Sequence, residues 1–417
     1  MDNPARYTIL RGMETKSDIL IAGGGLNGLT LALTAARSGL TSTVVDAQPE
    51  AAARAANFDG RAYALALASQ RMLERLGLWQ GLQAEAQPML DIKVTDGRVG
   101  DGAVFLGLHF DHAEIEEGPM GFMVEDRHLR RILSTAAENE PRITIVPGTR
   151  ITRQTTSSQG VSVHLDDGAQ LSARVLIGAD GRKSGTAERA GISRTGWDYG
   201  QTALVCAISH EKPHNGVAHQ FFMPPGPLAV LPLTGTRSSI VWSEKTGFAQ
   251  EINALSDDDY LHVLRPRFGD FLGTISLAGD RYTYPLGLTL ADRWTSDRLA
   301  LVGDAAHGVH PIAGQGLNAG LRDVAALSHV WHHAQRRGED IAAPQVLNRY
   351  AEWRRFDTAT LAASTDLFNR LYSNDNPLLR IGRDLGMAAV NRLPGLQRAF
   401  MREAAGLNGD LPDLMRA

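Results

Sequence analysis

The chain has 417 residues, which allows two or three domains and a sizeable core. Its net charge of −4 and its short, scattered basic pairs exclude a typical nucleic-acid-binding surface. Cys206 is the single cysteine, which excludes an intramolecular disulfide and a multi-cysteine zinc site and fits a reducing, cytoplasmic setting.

The uncharged stretch 19–36 follows a basic start and superficially resembles a signal peptide or a membrane span. Four glycines and an asparagine interrupt its apolar run, whereas the apolar region of a signal peptide is continuous. We therefore interpret it as strand, turn and helix of a soluble domain.

The first predicted unit is a buried strand at 18–22, a glycine turn and a helix at 29–38. The turn has the pattern Gly23-x-Gly25-x-x-Gly28. Its first glycine permits the tight turn, the second admits a pyrophosphate close to the backbone, and the third allows close helix–strand packing. The helix N-terminus then faces the phosphates, so we predict a dinucleotide site that also includes Leu26 and Asn27.

A second β-branched strand at 42–45 ends at Asp46, which lies 23 residues after the first glycine. A carboxylate at this position accepts a hydrogen bond from a ribose 2′-hydroxyl and repels a 2′-phosphate. The unit therefore favours FAD or NAD over NADP.

Two more apolar strands, at 175–178 and 298–302, also end in acidic glycine turns. The first is followed by Asp180, and the second by Gly303 and Asp304. Ligands of open α/β sheets bind at the carboxyl ends of the strands. We therefore predict that all three turns meet around one nucleotide.

A second glycine loop, at 311–318, leads into a helix predicted to end near Arg337. The start of this helix is a second predicted anion site. Two anion sites suit a flavin better than a nicotinamide, because the flavin ring becomes anionic on reduction. The residues assigned to this flavin-activating loop are Pro311, Gly314, Gln315 and Gly316, and Leu317 and Asn318 after them are assigned to cofactor binding together with Gly303, Pro311 and Gly316.

Together these motifs resemble the class A FAD-dependent aromatic hydroxylases, the group typified by para-hydroxybenzoate hydroxylase, and most closely their ubiquinone-biosynthesis branch. The resemblance spans roughly 19–330, and its most specific segment is 303–323. The matching segments are 23–28, 59–65, 178–184, 303–307 and 311–323.

The resemblance implies that Asp304 bonds the flavin ribitol and that Asp180 lies in the turn shared by the FAD and pyridine-nucleotide sites. It also implies that Arg61 approaches the FAD pyrophosphate. Where the family commonly carries Asn or Arg near FAD, this chain has Asp126, and Arg127 is the residue assigned to that contact.

The implied reaction is hydroxylation of an aromatic ring. NADH or NADPH reduces the flavin, O2 reacts with the reduced flavin, and a C4a-hydroperoxide transfers one oxygen atom to a phenol, here expected to be a prenylated ubiquinone precursor. The chain has no second G-x-G-x-x-G between a strand and a helix, so we expect the nicotinamide to bind transiently. The residues assign no catalytic base.

The expected architecture is α/β, with a Rossmann-like FAD-binding domain, a second, sheet-containing substrate domain and C-terminal helices. Strand-like runs at 219–223, 228–231 and 238–242 predict the sheet of the substrate domain. The expected division is an FAD-binding domain at 1–90, 112–190 and 285–375, a substrate domain at 91–111 and 191–284, and a C-terminal helical segment at 376–417.

The segment 378–401 contains both apolar and basic residues, at the spacing of an amphipathic helix. This segment is a candidate surface for peripheral association with the inner membrane or with a biosynthetic complex, and packing on its own domain is the alternative.

Other functions remain open on the same scaffold. They are a catabolic phenol hydroxylase, a flavin halogenase or prenyl reductase, and a non-catalytic prenyl-binding carrier. An isolated Trp197 argues against the halogenase, and Asp304 with 314–318 argues against the carrier.

Histidines supply the remaining candidates. The trio His210, His214 and His219 and the helix pair His329 and His333 lack acidic or cysteine residues nearby in the sequence, so we expect no metal site. His307 and the histidine at position 310 flank the flavin loop, where either proton transfer or a structural hydrogen bond fits.

Overall fold

The computed structural model describes residues 15–53, 57–96, 107–115, 117–309, 314–372 and 393–417. The predicted contact of Pro311 and the interpretations of the histidine at position 310 lie outside the described residues, and so do positions 376–392 of the predicted C-terminal segment.

Helices and strands alternate along most of the chain. The helices are α1 (Leu26–Arg37), α2 (Glu50–Ala53), α3 (Leu67–Arg75), α4 (Asp126–Asn139), α5 (Gly185–Arg189), α6 (Thr246–Asn253), α7 (Asp257–Phe268), α8 (Gln315–Arg336), α9 (Pro344–Tyr372) and α10 (Pro394–Ala404). The strands are β1 (Thr15–Ala22), β2 (Ser42–Val45), β3 (Ala62–Ala66), β4 (Ala86–Met89), β5 (Asp91–Asp96), β6 (Gly107–Asp111), β7 (Gly121–Glu125), β8 (Ile143–Val146), β9 (Ile151–Ser157), β10 (Gly160–Leu165), β11 (Gln170–Gly178), β12 (Arg194–His210), β13 (Val217–Phe222), β14 (Leu228–Leu233), β15 (Arg237–Lys245), β16 (Ile275–Leu277), β17 (Tyr282–Ala291), β18 (Thr295–Ser296), β19 (Leu299–Leu301) and β20 (His307–Gly308).

The first sheet has the order β18-β19-β11-β1-β2-β8, and its strands from β19 to β8 run parallel. Ile19 of β1 pairs with Val175 on one side and Ser42 on the other. These strands are apolar on both faces because the sheet is buried, as parallel sheets are. Helices α1 and α8 pack against each other beside it. The carboxyl ends of β1, β11 and β19 therefore lie at one edge.

Helix α1 begins at Leu26, three residues before the predicted start at 29. Gly25 is its N-cap residue, with an extended backbone, so the helix starts inside the glycine motif. The weak helix propensity of the next residues is outweighed by packing, since Leu26 and Gly28 are buried.

The second sheet has nine strands in the order β20-β17-β12-β15-β14-β13-β5-β6, with β16 added to β12, and most of its pairs are antiparallel. The strands predicted at 219–223, 228–231 and 238–242 are β13, β14 and β15, and the predicted fold class is confirmed. The predicted boundary at 284 falls within β17, and the division into domains stays a prediction.

Each face of the second sheet is covered differently. On one face, α6 and α7 enclose a core that includes Trp242 and Tyr260, with the Arg267 guanidinium 4.2 Å from the Trp242 ring centre. On the other, Met123 of the three-stranded sheet β3-β7-β4 packs against Ala207 and Leu233. This small sheet therefore joins the two large ones. Within the described residues, no helix is long and apolar enough to cross a membrane.

Candidate active site

The three turns that follow β1, β11 and β19 meet at the carboxyl edge of the first sheet. The Ala179 N–H donates to the Ala22 carbonyl at 2.8 Å, and the Val302 N–H donates to the Gly178 carbonyl at 2.9 Å. Gly23 has a φ of +103°, and a Cβ there would lie 2.4 Å from the Ala179 oxygen. The first turn therefore needs glycine both for its backbone angle and for its contact with the second turn.

The glycine motif leaves a cradle in front of α1. A Cβ on Gly28 would lie 1.9 Å from the Gly23 oxygen, so helix and strand are in the close contact that the motif predicts. By contrast, no described atom lies within 4 Å of a Cβ built on Gly25. In the described chain no side chain caps α1, and its first turn carries no acidic residue. The backbone donors at this helix start fit a pyrophosphate.

Asp46 stands at the rim of this cradle, directly after β2. One of its carboxylate oxygens, Oδ1, accepts from the Gln48 N–H at 2.9 Å. The other, Oδ2, lies so close to Gly24 that a Cβ there would be 2.6 Å away. Asp46 is thus held beside the glycine turn, where the predicted ribose contact requires it.

Asn27 connects the first turn to the third. Its amide nitrogen Nδ2 would be 2.3 Å from a Cβ on Gly303 and 2.4 Å from a Cβ on Gly320 of α8. The Asn27 amide therefore occupies the space that a side chain at Gly303 or Gly320 would take. Its oxygen Oδ1 is buried and has no hydrogen-bond partner among the described residues. A buried acceptor of this kind fits a hydroxyl donor of a bound ligand.

The carboxylate of Asp180 is used within its own turn. Oδ1 accepts from the Ser184 hydroxyl, and Oδ2 accepts from Thr186 through its N–H at 2.9 Å and its hydroxyl at 2.8 Å. Ser184 in turn caps α5. Asp180 therefore stabilises the shape of the second turn, and its predicted role in the nucleotide sites stays a prediction.

The Asp304 carboxylate pairs with the Arg182 guanidinium at 3.1 Å, and both side chains are about 40% exposed, at 39% and 42%. A pair this exposed contributes about 0–1 kcal/mol, so a ligand hydroxyl can replace it at little cost. The backbone of the third turn does not depend on this ion pair. Arg194 holds it by donating to the carbonyl oxygens of Asp304 at 2.6 Å and Ala305 at 2.9 Å.

The second helix start has the same features as the first. Gly314 is the N-cap residue of α8 with a φ of +64°, and a Cβ there would lie 2.9 Å from the Ala64 Cβ. Across the described part of the chain no side chain caps α8, and no atom lies within 4 Å of a Cβ on Gly316. The backbone at this helix start therefore fits an anion, and the second anion site stays a prediction.

The Asn318 side chain links α8 to β3 through hydrogen bonds. Its oxygen accepts from the Ala66 N–H at 2.9 Å and the Ser69 hydroxyl at 2.8 Å. Its nitrogen donates to the carbonyls of Ala64 at 2.8 Å and Gly314 at 3.1 Å. With these four bonds made, the Asn318 side chain has used both of its donors and both of its acceptor positions, and its cofactor contact stays a prediction.

Arg61 and Arg127 are both paired with carboxylates. Arg61 lies 2.6 Å from Asp59 and 3.2 Å from Asp126, and Arg127 lies 2.7 Å from Glu125. The Asp126 carboxylate is nearly buried, so Arg61 keeps a fixed position beside β3. The cofactor contacts of both arginines stay predictions.

Sequence reasoning missed a buried network behind the third turn. Asp323 of α8 accepts from His307 at 2.6 Å, from the Gly303 N–H at 2.9 Å and from the Arg354 guanidinium of α9 at 2.9 Å. The Trp294 ring stacks on His307 at 5.1 Å. The motif contained His307 and Asp323, but nothing local pointed to Arg354.

Charge balance keeps Asp323 ionised although it is fully buried. Burial by itself would raise its pKa, but His307 and Arg354 outweigh burial and hold the pKa of Asp323 below its ordinary value. His307 thus makes a buried hydrogen bond through Nε2, while its Nδ1 is buried without a partner among the described residues. Its two sequence interpretations both stay predictions.

Comparisons with known proteins show the family to which the chain belongs. The family described as FAD binding domain matches residues 16–363. The chain is 46% identical to Ubiquinone hydroxylase UbiL of Rhodospirillum rubrum, over 100% of this chain and 96% of that protein. It is 33% identical to the 3-demethoxyubiquinol 3-hydroxylase of Escherichia coli, over 94% of this chain and 99% of that protein.

Among solved structures, p-nitrophenol 4-monooxygenase PnpA from Pseudomonas putida superposes with a TM-score of 0.80 at 19% identity, covering 95% of this chain and 99% of that one. HpxO of Klebsiella pneumoniae, solved with FAD and uric acid, superposes with a TM-score of 0.73 at 19% identity, covering 94% and 98%. At this identity the likeness shows the fold.

Proposed function

Since this chain belongs to the class A FAD-dependent aromatic hydroxylases, in their ubiquinone-hydroxylase branch, we propose that it adds one oxygen atom of O2 to the ring of a prenylated ubiquinone precursor. NADH or NADPH is the electron donor. The substrate class rests on the names of its relatives, and the cofactor rests on the site itself.

One observation carries the proposal. The carboxylates of Asp46, Asp180 and Asp304 follow strands of one sheet, and the helix starts at Gly25 and Gly314 both lack side-chain caps in the described structure. Acidic groups for sugar hydroxyls and backbone donors for anions are what a flavin dinucleotide needs.

We propose which part of FAD each part of the site binds. The turn from Gly23 to Gly28 would hold the pyrophosphate, Asp46 the ribose and Asp304 the ribitol. Bound FAD supplies the redox chemistry, taking hydride from the nicotinamide and activating O2. The start of α8 would stabilise the negative charge of the reduced ring, each favourable helix-end interaction being worth about 0.3–2 kcal/mol.

The second sheet has the complementary task of keeping the reacting centre dry. It joins the first domain through the buried contact of Met123 with Ala207 and Leu233. Excluding water strengthens the electrostatic interactions inside the site and prevents loss of the activated oxygen to solvent.

Deletion of the gene tests the proposed substrate class. We expect the deletion strain to accumulate a quinone precursor that lacks one ring hydroxyl, and a plasmid copy to restore the normal quinone profile, both measured by mass spectrometry. A quinone profile that is unchanged by deletion would reject the proposal and favour the catabolic phenol hydroxylase.

We also propose that the chain works at the cytoplasmic face of the inner membrane, where a prenylated substrate resides. On α10 the side chains of Leu396 and Phe400 are 41% and 40% exposed, one helical turn apart, and Leu393 just before the helix is 54% exposed. Arg398, which is exposed on the same helix, adds positive charge.

Sedimentation with anionic phospholipid vesicles tests this second proposal. We expect the wild-type protein to sediment with the vesicles and the double change Leu396→Ser and Phe400→Ser to leave it in the supernatant. Phe248, which is 45% exposed on α6, provides the control change Phe248→Ser. Equal sedimentation of all three proteins would contradict a docking role for α10.

A further inference from the structure

A cluster of two histidines and one aspartate lies at the far end of α8 from the cofactor loop. His329 and His333 are one helical turn apart, with ring centres separated by 4.4 Å. Asp413, from the short 3-10 turn Asp413–Met415, places Oδ2 at 2.9 Å from His329 Nδ1 and 3.8 Å from His333 Nε2. All three donor atoms lie within 4.8 Å of one another.

We propose that His329, His333 and Asp413 bind a zinc ion. Two imidazole nitrogens and one carboxylate oxygen form a donor set that zinc accepts, with water as the fourth ligand. Zinc–ligand bonds of about 2.0–2.2 Å place the donors of a tetrahedral site about 3.3 Å apart. The two measured separations from Asp413 lie on either side of that value.

The surrounding residues hold these ligands in place. Met415 is 1% exposed, which fixes the turn that carries Asp413. Arg416 pairs with the other oxygen of Asp413 at 3.3 Å, so Oδ2 is left to face the histidines. The Trp353 ring packs edge-on against His329 at 5.1 Å and donates to the Asp410 carbonyl at 3.2 Å. The ligands are therefore positioned before any ion binds.

The sequence around His329 and His333 contains no acidic residue, and for that reason it predicted no metal site. Asp413 supplies that residue from 80 positions beyond His333, through the fold. No local pattern in the sequence signals the approach.

The ion would have a structural role. Fourteen residues separate Gln315 at the start of α8 from His329, which is about 21 Å along a helix. A water ligand is typical of open zinc sites, but zinc has no redox chemistry of its own and this site lies far from the predicted flavin. The ion would therefore fasten the C-terminal turn to α8 and take no part in electron transfer.

Calorimetric titration of the tag-free, FAD-loaded protein with Zn²⁺, after treatment with a chelator, tests the site. We expect one ion per chain and a rise in Tm on binding. The changes His333→Ala and Asp413→Asn should weaken binding at least ten-fold, since loss of even an outer-shell partner costs about 10–100-fold. Flavin content and the zinc-free Tm of each variant show that it is folded.

His332 supplies the matched control, because it is a neighbouring exposed histidine on the same helix. We expect His332→Ala to bind Zn²⁺ as the wild type does. Absence of saturable binding in the wild type, or equal losses in His332→Ala and His333→Ala, would overturn the assignment. Neither result depends on the proposed hydroxylase reaction, because the readout is metal binding.

Discussion

Replacing Asp323 with alanine should lower the free energy of unfolding by about 3–5 kcal/mol, which is the usual cost of breaking a buried ion pair. The change leaves the Arg354 guanidinium, which is 2% exposed, without its buried carboxylate partner. It also removes the acceptor of His307 and of the Gly303 N–H. Because Gly303 begins the third turn, we expect FAD to be retained poorly as well.

Urea denaturation of the purified protein measures this loss. Asp357→Ala is the matched control, because Asp357 pairs with the same arginine at 2.6 Å but is 25% exposed. We expect this control to lose clearly less stability than Asp323→Ala does, because the Asp357 carboxylate is partly exposed whereas that of Asp323 is fully buried. An equal loss of unfolding free energy in the two variants would show that the buried Asp323 network stabilises the protein no more than the partly exposed ion pair of Asp357 does.

The same network predicts how wild-type stability depends on pH. The pKa of Asp323 is lower in the folded chain than its ordinary 3.8, so the folded state binds the proton less well than the unfolded state does. Its contribution is therefore fully present above the unfolded pKa, and it is lost as the pH falls through the folded pKa.

Replacing Gly25 with alanine should weaken FAD binding by about 10- to 100-fold while leaving the stability of the apoprotein nearly unchanged. The added Cβ meets no described atom within 4 Å, and the φ of −71° suits alanine. The methyl group instead occupies the space in which we place the pyrophosphate. Losing one hydrogen bond to a charged group costs about 1.5–3 kcal/mol, which sets the expected change in affinity.

Fluorescence titration of apoprotein with FAD, together with urea denaturation, separates these two effects. Gly247→Ala is the control, since a Cβ at Gly247 of α6 also has no described atom within 4 Å and the residue lies beside the second sheet. We expect the control to bind FAD normally. Wild-type affinity in Gly25→Ala would place the pyrophosphate elsewhere.

Short-range patterns predicted much of the fold because they express local geometry. Gly23, Gly25 and Gly28 are spaced for one strand–turn–helix unit, and the structure has that unit. The meeting of the glycine turn with the turns of Asp180 and Asp304 followed from the rule for carboxyl ends of parallel strands, and β1, β11 and β19 are adjacent.

The unpredicted features depend on contacts between distant residues. Arg354 reaches Asp323 from another helix, and Asn318 braces a strand 252 residues earlier in the chain. The motif predicted that Asn318 lies near the cofactor. Its side chain makes its hydrogen bonds with Ala66 and neighbouring residues instead. Such roles are set by packing, which leaves no periodic signal in the sequence.

The most direct test of the central claim is the absorption spectrum of the purified wild-type protein, before and after it is offered FAD. The claim is that the turns ending in Asp46, Asp180 and Asp304 together form one flavin site. We expect flavin bands in the visible range and saturation at one FAD per chain. A protein that is colourless and takes up no FAD in this titration would contradict the claim.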